Sequence, residues 1–378
     1  SEYAEDWRDL MRLFLVRRTR EFIIRNYATL DPERQRHYVS LNDARYYFPS
    51  RRPKAITFAL SEGDPSDQYA RLFQDSVVDT VNRLQLPRYG LMNYLVANAE
   101  KNASPQQRKI LENLNRAGTR LIGFCRVNLF KRLESSGHSF LLSLDRHILR
   151  NMVTLHALEH GLPVPIGTQN AALLDTAITD ADVDWIRDEA NGEDDEQPET
   201  VTSPTRPDGL ETYASQAERN YRMYRKDYPR RFAWLDARFF GPQLRADLLS
   251  DARRLLSIIH DAGQWNPESD AKLDVLCDLL LHVHPDQKVL VFTQFADTAM
   301  YLAGQLLERG VAGLELATAQ AGDPTALARR FSPNSNNGLK AGEQPIRVLI
   351  ATDVLAEGQN LQDCNIVVNY DLPWAIIR

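Results

Sequence analysis

Within the nine residues from Thr352 to Asn360 the chain gathers a hydroxyl, two carboxylates, a glycine and two carboxamides: Thr352, Asp353, Glu357, Gly358, Gln359 and Asn360. They directly follow Val348, Leu349, Ile350 and Ala351, an unbroken apolar run of the kind that fills a parallel sheet. Ile366, Val367, Val368 and Asn369 start the next strand. In an open α/β sheet, ligands bind beyond the carboxyl ends of the strands, so these polar residues fall in the working position. A hydroxyl at a strand tip can hold a phosphate oxygen, and a glycine lets a ligand approach the backbone closely.

Upstream, "KLDVLCDLLLHVHPDQKVLVFTQFADTAMYLAGQLL" (272–307) reads as a helix, a turn, a strand from Val289 to Phe292, a polar edge of Thr293 and Gln294, and another helix. The "ATD", "EGQNLQ" and "NYDLPW" strings of 351–374 resemble motif V of superfamily 2 helicases and translocases. The 272–307 stretch resembles the opening of their second RecA-like lobe, with motif IV. The nearest resemblance is to the Swi/Snf-like group, including its bacterial RNA-polymerase-associated relatives. Near the start, Arg17, Arg18 and Thr19 follow an apolar stretch and resemble the element that closes the first lobe of such motors.

The resemblance implies an α/β fold: an incomplete RecA-like parallel-sheet lobe at the C-terminal end, preceded by a largely α-helical insertion region. It implies nucleic-acid contacts at Thr293, Gln294 and Thr352, and ATP binding or coupling at Asp353, Glu357, Gly358 and Asn360. Asn360 stands where other superfamily 2 members carry an acid. Glu357 stands where DEAD-box RNA helicases carry Arg.

Other parts of such a motor are missing from the sequence. There is no G-x-x-x-x-G-K-[ST] phosphate loop and no strand-anchored D-E-x-H. The "DDEQ" at 194–197 follows "EANGE", which is no strand to aim carboxylates at magnesium. The family's arginine box follows "NYDLPW" within about a dozen residues, and Arg378 falls in the approach to it. The chain therefore reads as a fragment with no catalytic residues of its own, inactive alone. ATP and Mg2+ are the expected cofactors of the full-length protein, with none held tightly by this piece.

In bulk, 378 residues suffice for two or three domains. The net charge of −6 hides an uneven distribution: residues 1–56 carry twelve Arg or Lys against eight acids, and residues 175–199 carry eleven acids and one Arg. Cys125, Cys277 and Cys364 lie far apart, which suits a reducing, cytoplasmic setting and makes no metal spacing. No run reaches the length of a membrane span.

The organisation reads as follows. Residues 1–60 are the end of a first RecA-like lobe, with an exit strand at 54–60. Residues 61–162 are a helical linker with a long run over 118–162, and 163–210 are an acidic, Pro-containing mobile linker. Residues 211–270 are a helical segment in which aromatics, Tyr213, Tyr221, Tyr224, Phe232, Trp234, Phe239 and Phe240 among them, interleave with ten Arg or Lys, a pattern of core aromatics and outward arginines, with base stacking as the rival. Residues 271–378 are the second lobe. Within it, the Gly/Asn/Ser-rich 332–345 reads as an insertion or mobile contact. Lys131, Arg132 and Arg146 read as a solvated helix face, with DNA contact as the alternative.

"HALEH" (156–160) matches a zinc-peptidase pattern but lacks a third ligand in a suitable helix, and His282 and His284 lack partners for a metal. The expected function is ATP-driven movement on double-stranded DNA. RNA polymerase or other protein partners are possible, and no membrane is expected. Two alternatives remain: a RecA-like scaffold module without catalysis, and an RNA-polymerase-recycling or RNA-directed ATPase.

Overall fold

The computed structural model describes residues 20–41, 44–48, 50, 52–61, 63–167, 209–229, 232–318, 323–352 and 359–371. It divides into two units, Ser1–Ile56 and Thr57–Arg378.

In the first unit a short helix, α1 (Arg20–Tyr27), precedes an antiparallel sheet of β1 (Thr29–Asp31), β2 (Arg36–Leu41) and β3 (Ala44–Tyr47). Tyr38 faces Tyr47 across β2 and β3, and the Arg45 guanidinium lies 4.9 Å over the Tyr38 ring. These cross-strand aromatic and cation–π contacts support a sheet too small to have much core. Arg17, Arg18 and Thr19 lie outside the described residues.

The expected exit strand is not found. Residues 54–60 have no regular structure, and no described strand lies beside them to take up their backbone groups.

The second unit begins with a helical body: α2 (Gln68–Leu72), α3 (Asp75–Asn82), α4 (Pro105–Ser135), α5 (Gly137–Glu159), α6 (Leu210–Lys226) and α7 (Pro242–Ala262). The long α4 starts at a capping box: the Ser104 hydroxyl accepts from the Gln107 N–H while the Gln107 side chain accepts from the Ser104 N–H, with Pro105 at the first helical position. It stops at Ser136, whose extended backbone breaks the run and whose hydroxyl caps α5. The single run expected over 118–162 is therefore two helices.

Leu129 and Leu133 of α4, Phe140, Leu144 and Ile148 of α5, and Leu255 and Ile258 of α7 share one core. Val153, Leu158, Ala217, Tyr221, Leu244 and Leu248 build its neighbour. Tyr213, Tyr221, Tyr224, Phe239 and Phe240 are buried, so the aromatic pattern of 211–262 is a core pattern. Two short strands, β4 (Val164–Ile166) and β5 (Ala233–Leu235), pair antiparallel beside it. The acidic 175–199 lies outside the described residues.

The lobe contains α8 (Ala271–Asp278), β6 (Val289–Phe292), α9 (Ala296–Glu308), β7 (Leu314–Ala317), α10 (Pro324–Phe331), β8 (Val348–Ala351) and β9 (Ile366–Asn369). Its four strands run parallel in the order β7-β8-β6-β9. Helices cover both faces, which is why β6 and β8 are apolar throughout. Val289, Val291, Val348 and Ile350 pack with Leu302 and Leu306 on one face. Leu290, Leu349 and Ala351 pack with Leu327 and Phe331 on the other. The expected α/β parallel-sheet lobe is present.

Residues 332–345, expected as an insertion or a mobile contact, bond to neighbouring elements of the lobe. Arg329 pairs with Glu343, Arg330 donates to the Gln344 carbonyl at 3.0 Å, and the Asn334 N–H donates to Asp363 at 2.8 Å. No helix among the described residues is long and apolar enough to cross a membrane.

Candidate nucleic-acid interface

β6 and β8 are neighbours in register, with Phe292 opposite Ala351, so the residues that follow them, Thr293 and Thr352, emerge side by side at the carboxyl edge. Both continue the sheet's hydrogen bonding. The Thr293 N–H donates to Ala351 O and the Thr352 N–H donates to Ala317 O, each at 3.1 Å. Neither amide is available to a phosphate, so Thr352 has its hydroxyl to offer and not its N–H. Both residues are about 5% exposed or less.

The Thr293 hydroxyl donates to Asp371 Oδ2 at 2.6 Å, and the Gln294 N–H donates to Asp371 Oδ1 at 2.8 Å. Asp371 follows β9 by two residues, and β9 pairs with β6 on the side away from β8. One carboxylate thus fixes the turn out of the central strand.

Asn360 is not brought to this edge. Its side chain donates to Ser335 O at 2.8 Å, and its own carbonyl accepts from Asn336 at 2.7 Å. Those residues follow the end of α10, where Lys288, just before β6, donates to the Phe331 and Ile346 carbonyls. Asn360 therefore lies on the side where the strands begin. Asp353, Glu357 and Gly358 lie outside the described residues.

The structure adds residues that the sequence reading did not select. Ser135, the last residue of α4, is fully buried, and its hydroxyl donates to Asp371 Oδ2 at 2.6 Å. It also lies 2.9 Å from the Thr298 hydroxyl, which is in turn 2.9 Å from that of Ser139. Lys272 places its ammonium 2.8 Å from both the Glu134 and Ser135 carbonyls and 4.0 Å from the centre of the Tyr370 ring. A cation there satisfies carbonyls left open at the helix end and opposes the negative end of its dipole. Burial pulls the Lys272 pKa down to about 8, against the nearby charges of Asp371, Asp270 and Glu134, which favour the ammonium.

Arg132 and Arg146 are corrected from both sequence readings. Neither forms a solvated face nor is turned outward toward DNA. Arg132 is 1% exposed and donates to Asp297 at 2.8 Å, while Arg146 grips the same carboxylate with its two terminal nitrogens, Nη1 and Nη2, at 2.6 and 3.0 Å. Burial raises the Asp297 pKa, but the two guanidiniums outweigh it and hold the group at about 2. Nothing local in the sequence signals this arrangement, because Arg132 and Asp297 stand 165 positions apart. "NYD" in the sequence was a usable sign for Asp371; Ser135 had none.

The His156 and His160 rings lie with centroids 4.4 Å apart and planes tilted by 36°, and His160 bonds the His156 carbonyl of its own helix. Among the described residues, no group of three or more His, Cys, Asp or Glu is placed to hold a metal ion.

Residues 271–378 match the family described as the helicase conserved C-terminal domain. Over 123 residues, 32% of this chain, the sequence is 36% identical to an uncharacterized ATP-dependent helicase, YqhH, of Bacillus subtilis (strain 168), of which 20% is covered. Over 107 residues, 28% of this chain, it is 34% identical to an ATP-dependent RNA helicase, DBP8, of Mycosarcoma maydis, of which 18% is covered. The chain spans about a fifth of the length of the curated relatives it matches. No solved structure matches it significantly. Residues 271–378 are thus similar to the helicase conserved C-terminal domain and have the α/β, parallel-sheet build expected of a RecA-like lobe.

Proposed function

We propose that this chain belongs to an ATP-dependent translocase of the Swi/Snf-like type that moves on double-stranded DNA. The observation that carries the reading is the pairing of a helicase C-terminal domain with two threonines, Thr293 and Thr352, at adjacent strand tips. In this reading the Thr352 hydroxyl and the Gln294 side chain meet the phosphate backbone, and Thr293 shapes the edge through Asp371. Small hydroxyl and carboxamide groups suit that task because the backbone demands close approach and carries no sequence information. Asp353, Glu357 and Gly358 would serve nucleotide binding and its coupling to movement. The position of Asn360 beside Ser335 favours a role in holding the loop, not in touching nucleotide.

ATP is the substrate implied by the names of both relatives, and Mg2+ would accompany it. The described residues gather no carboxylate cluster for that ion.

The test is ATP hydrolysis by the full-length protein in the presence of duplex DNA, single-stranded DNA or duplex RNA. Stimulation by duplex DNA, with steep loss as salt rises, is expected of backbone tracking. Absence of any nucleic-acid stimulation would defeat the proposal. Greater stimulation by RNA would favour the RNA-directed alternative, which the printed name of the fungal relative suggests.

A further inference from the structure

The helical body and the lobe meet at a buried polar joint. On the helical side stand Arg132 and Ser135, in the last turn of α4, with Ser139 and Arg146 on α5. On the lobe side stand Lys272 of α8, Thr293, Asp297 and Thr298 at the start of α9, and Asp371 after β9. Ser135, Ser139 and Thr298 are fully buried, and Asp297 is 6% exposed. An apolar joint would bury these elements without fixing their register. Directional hydrogen bonds between hydroxyls and carboxylates fix it, and a buried group that loses its partner is costly.

Asp371 is the shared member. Its Oδ2 accepts from Ser135 of the helical body and from Thr293 of the strand tip, while its Oδ1 accepts from the Gln294 N–H. The end of α4 and the edge that faces the backbone in the proposed function therefore hold the same carboxylate.

We propose that Ser135 is a positioning residue: through Asp371 it sets the Thr293–Gln294 turn, so that the helical body and the nucleic-acid edge act as one mechanical element. Ser135 touches neither substrate in this scheme. A shift of the α4 end removes one of three donors from Asp371 and frees the carboxylate to leave the turn. The inference rests on the function proposed above for its kinetic consequence, and on the geometry alone for its structural one.

The experiment uses full-length protein carrying Ser135→Val, Ser135→Thr or no change. Two readouts are taken: hydrogen exchange at the Gln294 amide, and nucleic-acid-stimulated ATP hydrolysis. In Ser135→Val the Gln294 amide is expected to exchange about tenfold faster while Val291, in the middle of β6, stays protected. The nucleic-acid concentration for half-maximal stimulation is expected to rise several-fold with the ATP KM unchanged. Ser135→Thr, which keeps the hydroxyl, restores both.

Equal exchange at Gln294 in the Val and wild-type proteins would overturn the inference. So would a uniform fall in all kinetic parameters in step with the folded fraction. A wild type with no stimulated hydrolysis would defeat the function proposed above, and the exchange measurement would then decide the positioning role by itself.

Discussion

Arg132 and Asp297 meet at 2.8 Å where the arginine is 1% and the aspartate 6% exposed, one on the 31-residue α4 and the other on the first turn of a lobe helix. Arg146 completes the arrangement from a position 18% exposed. Removing one partner of a buried pair leaves an uncompensated charge. Asp297→Ala, which strands two guanidiniums, should lower unfolding free energy by about 3–5 kcal/mol. Arg146→Ala, which leaves the Arg132 pair intact, should cost clearly less. Denaturant melts of the two variants check the order, and equal losses would contradict it.

The same carboxylate gives stability a pH dependence of known sign. Its folded pKa of about 2 lies below the ordinary value of 3.8. The contribution is therefore fully present above the unfolded pKa and is lost as pH falls from about 4 toward 2. Its size is on the order of 2 kcal/mol. Burial raises Asp145, Asp251 and Asp270, whose contributions run the other way. The comparison is thus between wild type and Asp297→Asn. The difference in stability between them should shrink below pH 4, and a constant difference would refute the assignment.

Gly137 opens α5 under the Trp265 ring, and a Cβ there would sit 2.3 Å from the indole. Trp265 is not free to retreat, because its N–H donates to the Tyr301 hydroxyl at 3.0 Å and Tyr301 donates to Asp270 at 2.8 Å. Gly137→Ala should cost about 1–3 kcal/mol as overpacking. Trp265→Ala should relieve that cost, and a double-mutant cycle on unfolding free energy would show the coupling.

Thr352→Val keeps the shape of a residue about 5% exposed and removes its hydroxyl. Little loss of stability is expected, with about a tenfold fall in nucleic-acid-stimulated turnover, equivalent to about 1.4 kcal/mol. Steady-state hydrolysis at saturating ATP measures it. Wild-type turnover in the variant would remove Thr352 from the proposed interface.

Legibility in the sequence followed the range of the interaction. The apolar runs Val289–Phe292 and Val348–Ala351 appear as strands with those bounds, because a strand buried on both faces writes itself as continuous hydrophobicity, and Ile366–Asn369 forms the edge strand with alternate residues exposed. The 54–60 run shows the limit of that signal: β-favouring residues do not make a strand without a neighbour. Thr293 and Thr352 could be located because they end such strands. Ser135 could not, since a serine closing a long helix looks like any other until Asp371, 236 positions away, arrives beside it. Arg132 misled for a related reason. An arginine among helical residues suggests water, and its counter-charge lies in another part of the chain.

At 1.5 Å per residue, the 31 residues of α4 make a rod roughly 46 Å long, held at Ser135 by Asp371 and near Ser104 by the Gln107 side chain, which donates to Asp236 at 3.0 Å. A tilt of about 5° at the Ser135 end would sweep the other by about 4 Å. Leu111 and Leu114 pack that far end into the core of the helical body, so a displacement felt at the carboxylate is passed along the helix into that core and not lost in solvent.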